Sequence, residues 1–75
     1  MIELSPGITA HPDVRLGKPV IRGTRVPVDT IVARLAAGMA VAEITEEHGI
    51  TPTDVYNALQ YAARRISEEQ VWVTT

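Results

Sequence analysis

The chain has 75 residues, no cysteine and a formal net charge of −2 at pH 7. A domain of this size buries only about 60% of the surface that its unfolded chain exposes, so its core is thin. Without cysteines, neither disulfides nor thiolate zinc sites can add stability, which leaves self-association as the means of burying more apolar surface. We therefore expect one domain, residues 1–75, that forms a homodimer.

Two features of the sequence bear on its cellular location. No apolar run approaches the roughly 18 residues of a membrane-spanning helix. The first seven residues carry Glu3, where a signal peptide would need basic residues and a longer apolar stretch. We expect a cytoplasmic protein that does not associate with membranes.

Charge is distributed unevenly along the chain. Residues 1–34 contain five bases and three acids, a net charge of +2, whereas residues 35–75 contain two bases and six acids, a net charge of −4. The two values sum to the overall −2. This asymmetry indicates two different partner surfaces.

The first patterned segment, residues 8–28, has β-type residues interrupted by prolines and glycines. It predicts a β-ribbon with short strands at residues 8–10 and 20–22, because proline is confined to strand edges and glycine supplies turn conformations. An isolated ribbon is marginally stable in water. It should therefore pack on the helices or pair with its copy in a second subunit.

Helical periodicity begins at Val28. Apolar residues at i, i+3, i+4, i+7 and i+8 predict a first helix that ends at Gly38, and a shorter pattern predicts a second helix that ends at Gly49. Thr51 as N-cap and Pro52 in the first turn begin a third helix, which runs to about residue 67. Its apolar stripe is Val55, Ala58, Leu59, Ala62 and Ile66. The fold class is mainly α, with the ribbon at 8–28, three helices at 28–67 and a tail at 68–75.

The second and third predicted helices match a helix-turn-helix, whose second helix can lie in a DNA major groove. If Val55 and Leu59 face inward, the opposite face of the third helix is polar. It carries the candidate DNA-binding residues Thr53, Asn57, Gln60 and Arg64. Amide and guanidinium groups can pair with bases or phosphate. A solvated face on an ordinary three-helix core explains them equally well, because neighbouring carboxylates would repel phosphate.

Other chemistry has little support in the sequence. His11 and His48 lack cysteines or spaced carboxylates beside them, so we expect no metal site, and we expect no cofactor. The two serines, Ser5 and Ser67, belong to no visible set of nucleophile, base and orienting group. We expect no catalytic residues and a protein that is not an enzyme.

The tail places Trp72 between two valines. A tryptophan of this kind can anchor a partner, and Val-Trp-Val is a plausible added strand. Folding back over the thin core of its own chain explains the residue equally well. The sequence leaves both interpretations open.

Two strings carry a family resemblance. ITAHPDVRLGKPVIRGTRVPV and EITEEHGITPTDVYNALQYAA resemble a small bacterial and archaeal domain-of-unknown-function family typified by GKPxIxGTR(I/V)PV, over about residues 8–66. The resemblance implies a homeodomain-like helical part. Several members look like VapB-type antitoxins encoded beside a PIN-like ribonuclease toxin. The resemblance thereby implies a protein that binds and silences a toxin, and that binds operator DNA to control its own operon.

The leading hypothesis from this resemblance is a homodimeric antitoxin. PIN-like nucleases use clustered carboxylates and a divalent metal, so an inserted arginine would compete for the acidic site. The candidates, which the sequence does not rank, are Arg22, Arg25, Arg64 and Arg65, with Trp72 as a further partner-binding residue. The alternatives are a dimeric helix-turn-helix DNA-binding regulator without a toxin, and an interaction module that does not bind DNA.

The chain departs from the family pattern at the start of the second helix. Members often have Ser-Pro-Glu-Glu there, whereas this chain has Ala40 and Val41 in place of the serine and proline. The missing capping side chain costs about 0.5–2 kcal/mol. We expect packing of Ile44 to maintain the helix.

Overall fold

The chain folds into a small antiparallel sheet followed by three helices. The computed structural model describes residues 1–70. The strands are β1 (Ile2–Ser5), β2 (Ile8–Ala10) and β3 (Val20–Ile21), and the helices are α1 (Val28–Ala36), α2 (Val41–His48) and α3 (Pro52–Glu68). The predicted ribbon strands and all three predicted helices are therefore present at nearly their predicted bounds.

Strand β1 is an element that the sequence analysis does not predict. It pairs antiparallel with β2, Ile2 opposite Ala10 and Glu3 opposite Thr9, and the register shifts before Ser5. The chain reverses through Gly7, whose φ of 76° is open to glycine without steric cost. The available signal was the Pro-Gly turn with alternating apolar residues before it, a pattern too short to establish a period. The sheet has the order β1-β2-β3, with β1 at one edge.

The core lies between the sheet and the helices. Five elements each contribute one of the largest fully buried side chains, and these are Ile8, Ile21, Ile31, Ile44 and Val55. The predicted ribbon therefore packs on the helices of its own chain, the first of the two arrangements expected for it. Burial of Ile44 in α2 also agrees with the expectation that packing maintains this helix.

Glycines end the first two helices as predicted. Gly38 has a φ of 92° just after α1, and the next N–H, that of Met39, donates to the carbonyl of Arg34 (3.0 Å). Gly49 has a φ of 66° at the end of α2, and the N–H of Ile50 donates to the carbonyl of Thr45 (3.2 Å). Each glycine lets the chain pair carbonyls that the helix end would otherwise leave unsatisfied.

The starts of α2 and α3 differ. At α3, Thr51 Oγ1 accepts from the N–H of Asp54 (3.1 Å), and Asp54 Oδ2 accepts from the N–H of Thr51 (2.9 Å). At α2, Ala40 has no side-chain acceptor, and only the reverse bond forms, from the N–H of Ala40 to Glu43 Oε1 (3.1 Å). The sequence correctly predicts the cap on α3 and the missing one on α2.

The orientation of α3 differs from the predicted one. Val55 and Ala58 are buried, but Leu59 is 36% exposed and Ile66 is 66% exposed, so the inward stripe is shorter than predicted. The reason is that the turn between β1 and β2 lies against one flank of α3 and rotates the buried face towards Asn57. Within residues 1–70, no helix has both the length and the apolar composition needed to cross a bilayer.

Candidate interaction surfaces

The turn at residues 23–25 is organised by Thr24. Its hydroxyl donates to the carbonyl of Ile21 (2.8 Å) and accepts from the N–H of Val26 (3.0 Å). Gly23 supplies a φ of 75°. The Gly-Thr-Arg string thus builds a turn from its own groups and leaves Arg25 exposed at its outer side.

The residues just before and after this turn join the sheet to α1. The carbonyl of Pro19 accepts from the N–H of Val28, the first residue of α1 (3.0 Å). Lys18 Nζ donates to Asp29 Oδ2 (3.0 Å) in the first helical turn. This hydrogen bond from the ammonium group lowers the pKa of Asp29 below its ordinary value. The Gly-Lys-Pro string therefore connects the sheet to α1, in addition to carrying the charged side chain of Lys18.

The four candidate partner-binding arginines differ in their surroundings. Arg22 forms an ion pair with Glu3 of β1, and Arg65 Nη1 lies 3.1 Å from Glu68 Oε2. Arg64 donates a hydrogen bond to Ser5 Oγ. Among residues 1–70, Arg25 makes no ion pair or side-chain hydrogen bond. The structure therefore ranks Arg25 as the most available of the four, which the sequence alone could not do.

Arg15 is a second cation without a carboxylate partner among the described residues. It begins a turn, Arg15–Gly17, in which three successive residues have φ values of 51°, 56° and 82°. The left-handed conformation costs a residue with a Cβ roughly 1–2 kcal/mol. Leu16, at the centre of the turn, is 98% exposed. Neither residue could be recognised from the sequence, because left-handed backbone at a non-glycine residue leaves no pattern there.

These cations surround one shallow depression. It is lined by Asp13, Arg15, Leu16, Lys18 and Arg25. We call these five residues the basic surface. An apolar side chain at the centre of a cationic surface suits a partner that offers both carboxylates and an apolar contact.

The predicted DNA-binding face of α3 is divided in the structure. Thr53 and Gln60 are exposed. Asn57 is half-buried beside Gly7, where a Cβ on the glycine would lie 2.5 Å from Asn57 Nδ2. Arg64 reaches the same side of the helix through its hydrogen bond to Ser5. Arg64 thus bonds α3 to β1, Asn57 lies beside the turn that follows β1, and Thr53 and Gln60 remain on the outer face.

Tyr56 joins the outer face of α3 and is missing from the sequence-based set. It is 59% exposed, and it follows Thr53 by three residues and precedes Gln60 by four. This helical spacing was the available signal. The preceding helix α2 carries Glu43, Glu46 and Glu47, which would repel a phosphate backbone beside it.

A second depression is apolar and lies between α1 and α3. We call it the α1–α3 groove. It has a volume of about 450 Å³ and is lined by Val28, Val32 and Ala33 of α1, Tyr61, Ala62 and Ile66 of α3, and Lys18, Pro19, Asp29 and Arg65 at its margins. Trp72, the remaining candidate for partner binding, lies outside the described residues.

The two histidines lie apart from these surfaces. His11 Nδ1 accepts from the N–H of Asp13 (3.1 Å), a local turn contact. His48 Nε2 is buried without a hydrogen-bond partner, 3.7 Å from Glu47 Oε1. In the part of the chain that the structure describes, no group of three residues of metal-binding type comes together.

Comparison with known proteins places the chain in a family. A family model described as "Protein of unknown function (DUF433)" matches residues 8–62, which is most of the chain. The chain belongs to the DUF433 family. This confirms the predicted membership of a family of unknown function.

A curated relative, "Uncharacterized protein y4eO" of Sinorhizobium fredii (strain NBRC 101917 / NGR234), is 49% identical over 39 residues, or 52% of this chain. The match covers 18% of that relative, so the chain spans less than a fifth of its length. No solved structure matches the chain.

The bounds of the DUF433 match divide the arginines into two groups. The match begins at β2 and therefore leaves out β1, with the Glu3 that pairs with Arg22. It also leaves out Ser5 and Arg64, which bond each other. Arg25 and the Thr24 turn lie wholly inside it. Each of these two side-chain contacts of β1 thus has at least one partner outside the matched region.

Proposed function

We propose that this DUF433 protein is an antitoxin-like protein that binds and inhibits a PIN-like ribonuclease encoded beside it. The observation that carries the proposal is the turn at residues 23–25. Thr24 fixes the turn through two hydrogen bonds, and Arg25 projects from it without a carboxylate partner among residues 1–70. The string around this turn is a specific part of the family resemblance, and several members of that family look like antitoxins.

The proposal follows from the electrostatics of such a nuclease. Its active site would be a cluster of carboxylates, to which a guanidinium can bind with two parallel hydrogen bonds. An arginine already paired in its own chain must break that pair first. Arg22 and Arg65 have such pairs, whereas Arg25 has none among residues 1–70. Arg25 on its short turn is therefore the residue that we place in the acidic site.

A second function, binding of operator DNA, is supported by a different observation. Helices α2 and α3 are joined by only three residues, 49–51, in keeping with a homeodomain-like helix-turn-helix, and the outer face of α3 presents Thr53, Tyr56 and Gln60. We assign base contacts to Thr53 and Gln60 in this second function. The engagement of Asn57 and Arg64 by the sheet, together with the glutamates of α2, makes it the weaker of the two proposals.

The antitoxin proposal is tested with the purified product of the neighbouring gene. The DUF433 protein should form a complex with it and inhibit its ribonuclease activity. Arg25→Ala should weaken inhibition by about 10- to 100-fold, since a hydrogen bond to a charged group contributes about 1.5–3 kcal/mol. Arg34→Ala is the matched control, because Arg34 Nη2 already lies 3.2 Å from Glu47 Oε1. A neighbouring protein that neither cleaves RNA nor binds would rule out the antitoxin.

The DNA-binding proposal is tested on the region upstream of its own gene, at fixed salt. Gln60→Ala should relax the preference at one base position by about 1–3 kcal/mol. Asn57→Ala is a poor test, because this side chain packs against Gly7 and its loss would also disturb the fold. If Gln60→Ala and Thr53→Ala both leave affinity and preference unchanged, α3 does not read bases.

A further inference from the structure

The α1–α3 groove exposes apolar side chains in a domain whose core is thin. Val32, Tyr61 and Ala62 are only half-buried within it, and Ile66 is 66% exposed. The charged residues at the margins of the groove already form ion pairs within the chain: Lys18 with Asp29, and Arg65 with Glu68. What the groove offers to a partner is therefore its apolar floor.

Leu16 is an apolar side chain that contacts almost nothing in the described part of its own chain, residues 1–70. It is 98% exposed, and the backbone that displays it has two non-glycine residues in the left-handed region. Residues in such sparsely populated backbone regions cluster at functional sites. Lys18 lines both the basic surface and the α1–α3 groove, so Leu16 stands beside the groove without entering it.

The charges next to the groove are complementary. On the side of the basic surface, Arg15 has no carboxylate partner among residues 1–70. On the side of the end of α3, Glu69 has no cationic partner among those residues, and it lines a depression that shares Arg65 and Ile66 with the groove. A two-fold axis reverses one copy relative to the other, so that each copy can bring its Arg15 to Glu69 at the end of its partner's α3.

We propose that the α1–α3 groove is a homodimer interface that receives Leu16 of a second copy of this chain, while Leu16 of the first copy enters the groove of the second. A projecting side chain and an unfilled groove side by side on one surface form a self-complementary patch, which a two-fold interface requires. Burial of Leu16 also supplies apolar contact that the small core lacks. The inference stands apart from the proposed toxin and DNA functions.

Two variants of the full chain test the two halves of this contact. Leu16→Asn removes the apolar group and keeps a residue that tolerates left-handed backbone. Ala33→Gln fills the groove from an exposed position of α1. Sedimentation equilibrium should show a dimer for the unchanged protein, and each variant should raise its dissociation constant at least about tenfold, as loss of an interface anchor does. Melting temperatures measured where the protein is monomeric should not fall.

Three further variants serve as controls. Ala36→Gln makes the same change as Ala33→Gln on an exposed position of α1 that does not line the groove, and it should leave dimerisation unchanged. Ile2→Asn, on the edge strand β1, should also leave it unchanged, and loss of the dimer there would place the interface at the sheet edge instead. Trp72→Ala tests whether the tail occupies the groove instead of Leu16. If this variant abolishes the dimer and Leu16→Asn does not, the proposal is wrong.

A mixing experiment gives the sharpest result. A homodimer of either variant has no intact contact between Leu16 and a groove. A heterodimer of Leu16→Asn with Ala33→Gln regains one, because Leu16 of the second variant meets the open groove of the first. Equimolar mixing should therefore produce more dimer than either variant alone at the same total concentration. An unchanged protein that remains monomeric, or a mixture that dimerises no better than its components, would overturn the proposal.

Discussion

The segment at residues 11–27 and the helix pair α2–α3 are held in place by different kinds of contact. Helices α2 and α3 begin and end through groups close in sequence, such as Gly49 and the reciprocal bonds of Thr51 and Asp54. The segment 11–27 also depends on distant partners: Arg22 pairs with Glu3, and its N–H donates to the carbonyl of Gly7 (2.9 Å). Local contacts account for the ends of these helices, whereas segment 11–27 combines the local turn at Thr24 with contacts to β1 and to the turn that follows it.

The largest expected effect tests whether the helices depend on more than their local signals. Ile44 is fully buried in α2, a helix without a capping side chain at its start. Ile44→Ala should lower the free energy of unfolding by about 2–5 kcal/mol, through lost apolar transfer and the cavity that remains. Urea unfolding measures it. Ile2→Ala, at a 65% exposed position, should change stability by only about 0.5 kcal/mol or less. Equal losses would show that α2 does not rely on the core.

A pair of glycines separates backbone strain from a distant contact. Gly7 and Gly23 have nearly the same φ, 76° and 75°, but only Gly7 has a neighbour where a Cβ would lie, namely Asn57. Gly23→Ala should cost about 1–2 kcal/mol for left-handed backbone. Gly7→Ala should cost more in the same denaturation assay, because the new methyl group also meets Asn57.

The double variant completes this test. Adding Asn57→Ala to Gly7→Ala should recover part of the loss, because the smaller side chain makes room for the methyl group. If the two single glycine variants lose the same stability, or if Asn57→Ala adds its full independent cost, the contact between the β1–β2 turn and α3 is energetically unimportant.

The next effect compares the two helix starts directly. Thr51→Ala removes the side-chain acceptor at the start of α3 and should cost about 0.5–2 kcal/mol. Ala40→Ser introduces an acceptor at the start of α2, where Glu43 already supplies the reverse bond, and should raise stability by about 1 kcal/mol. Thermal and urea unfolding of both variants measure the changes. A loss of stability from Ala40→Ser would show that its backbone cannot present the hydroxyl to α2.

The smallest expected effect concerns the exposed pair between Lys18 and Asp29. Because Lys18 lowers the folded-state pKa of Asp29, the stabilisation is complete above the carboxyl's unfolded-state pKa and is lost as the pH falls through the folded-state pKa. Exposure limits it to about 1 kcal/mol or less. Asp29→Asn should reduce the acid-side slope of stability against pH. Lys18→Gln should do the same, although it leaves the carboxylate at the start of α1. Slopes identical to that of the unchanged protein would contradict this role for the pair.

For the binding surfaces, the sequence supplied the residue types but not their availability. Arg22, Arg25, Arg64 and Arg65 are equivalent as candidates in the sequence. Their differences come from Glu3, Ser5 and Glu68, and the first two lie in a strand that the sequence pattern was too short to reveal. This strand and the turn that follows it also place Arg64 beside Ser5 and Asn57 beside Gly7, away from the outer face of α3.

By itself, the sequence determined the ribbon strands, the three helices, their glycine ends and the threonine cap, because short-range periodicity and local hydrogen bonds decide those features. The tertiary structure decided the rest: the added strand β1, the orientation of α3, and the exposure of Arg25 and Leu16. Each of these depends on which distant segments pack together, or on a backbone conformation that residue type does not reveal. Physical contact between residues far apart in the chain, and not composition, therefore selects which charged and apolar groups remain exposed for a partner.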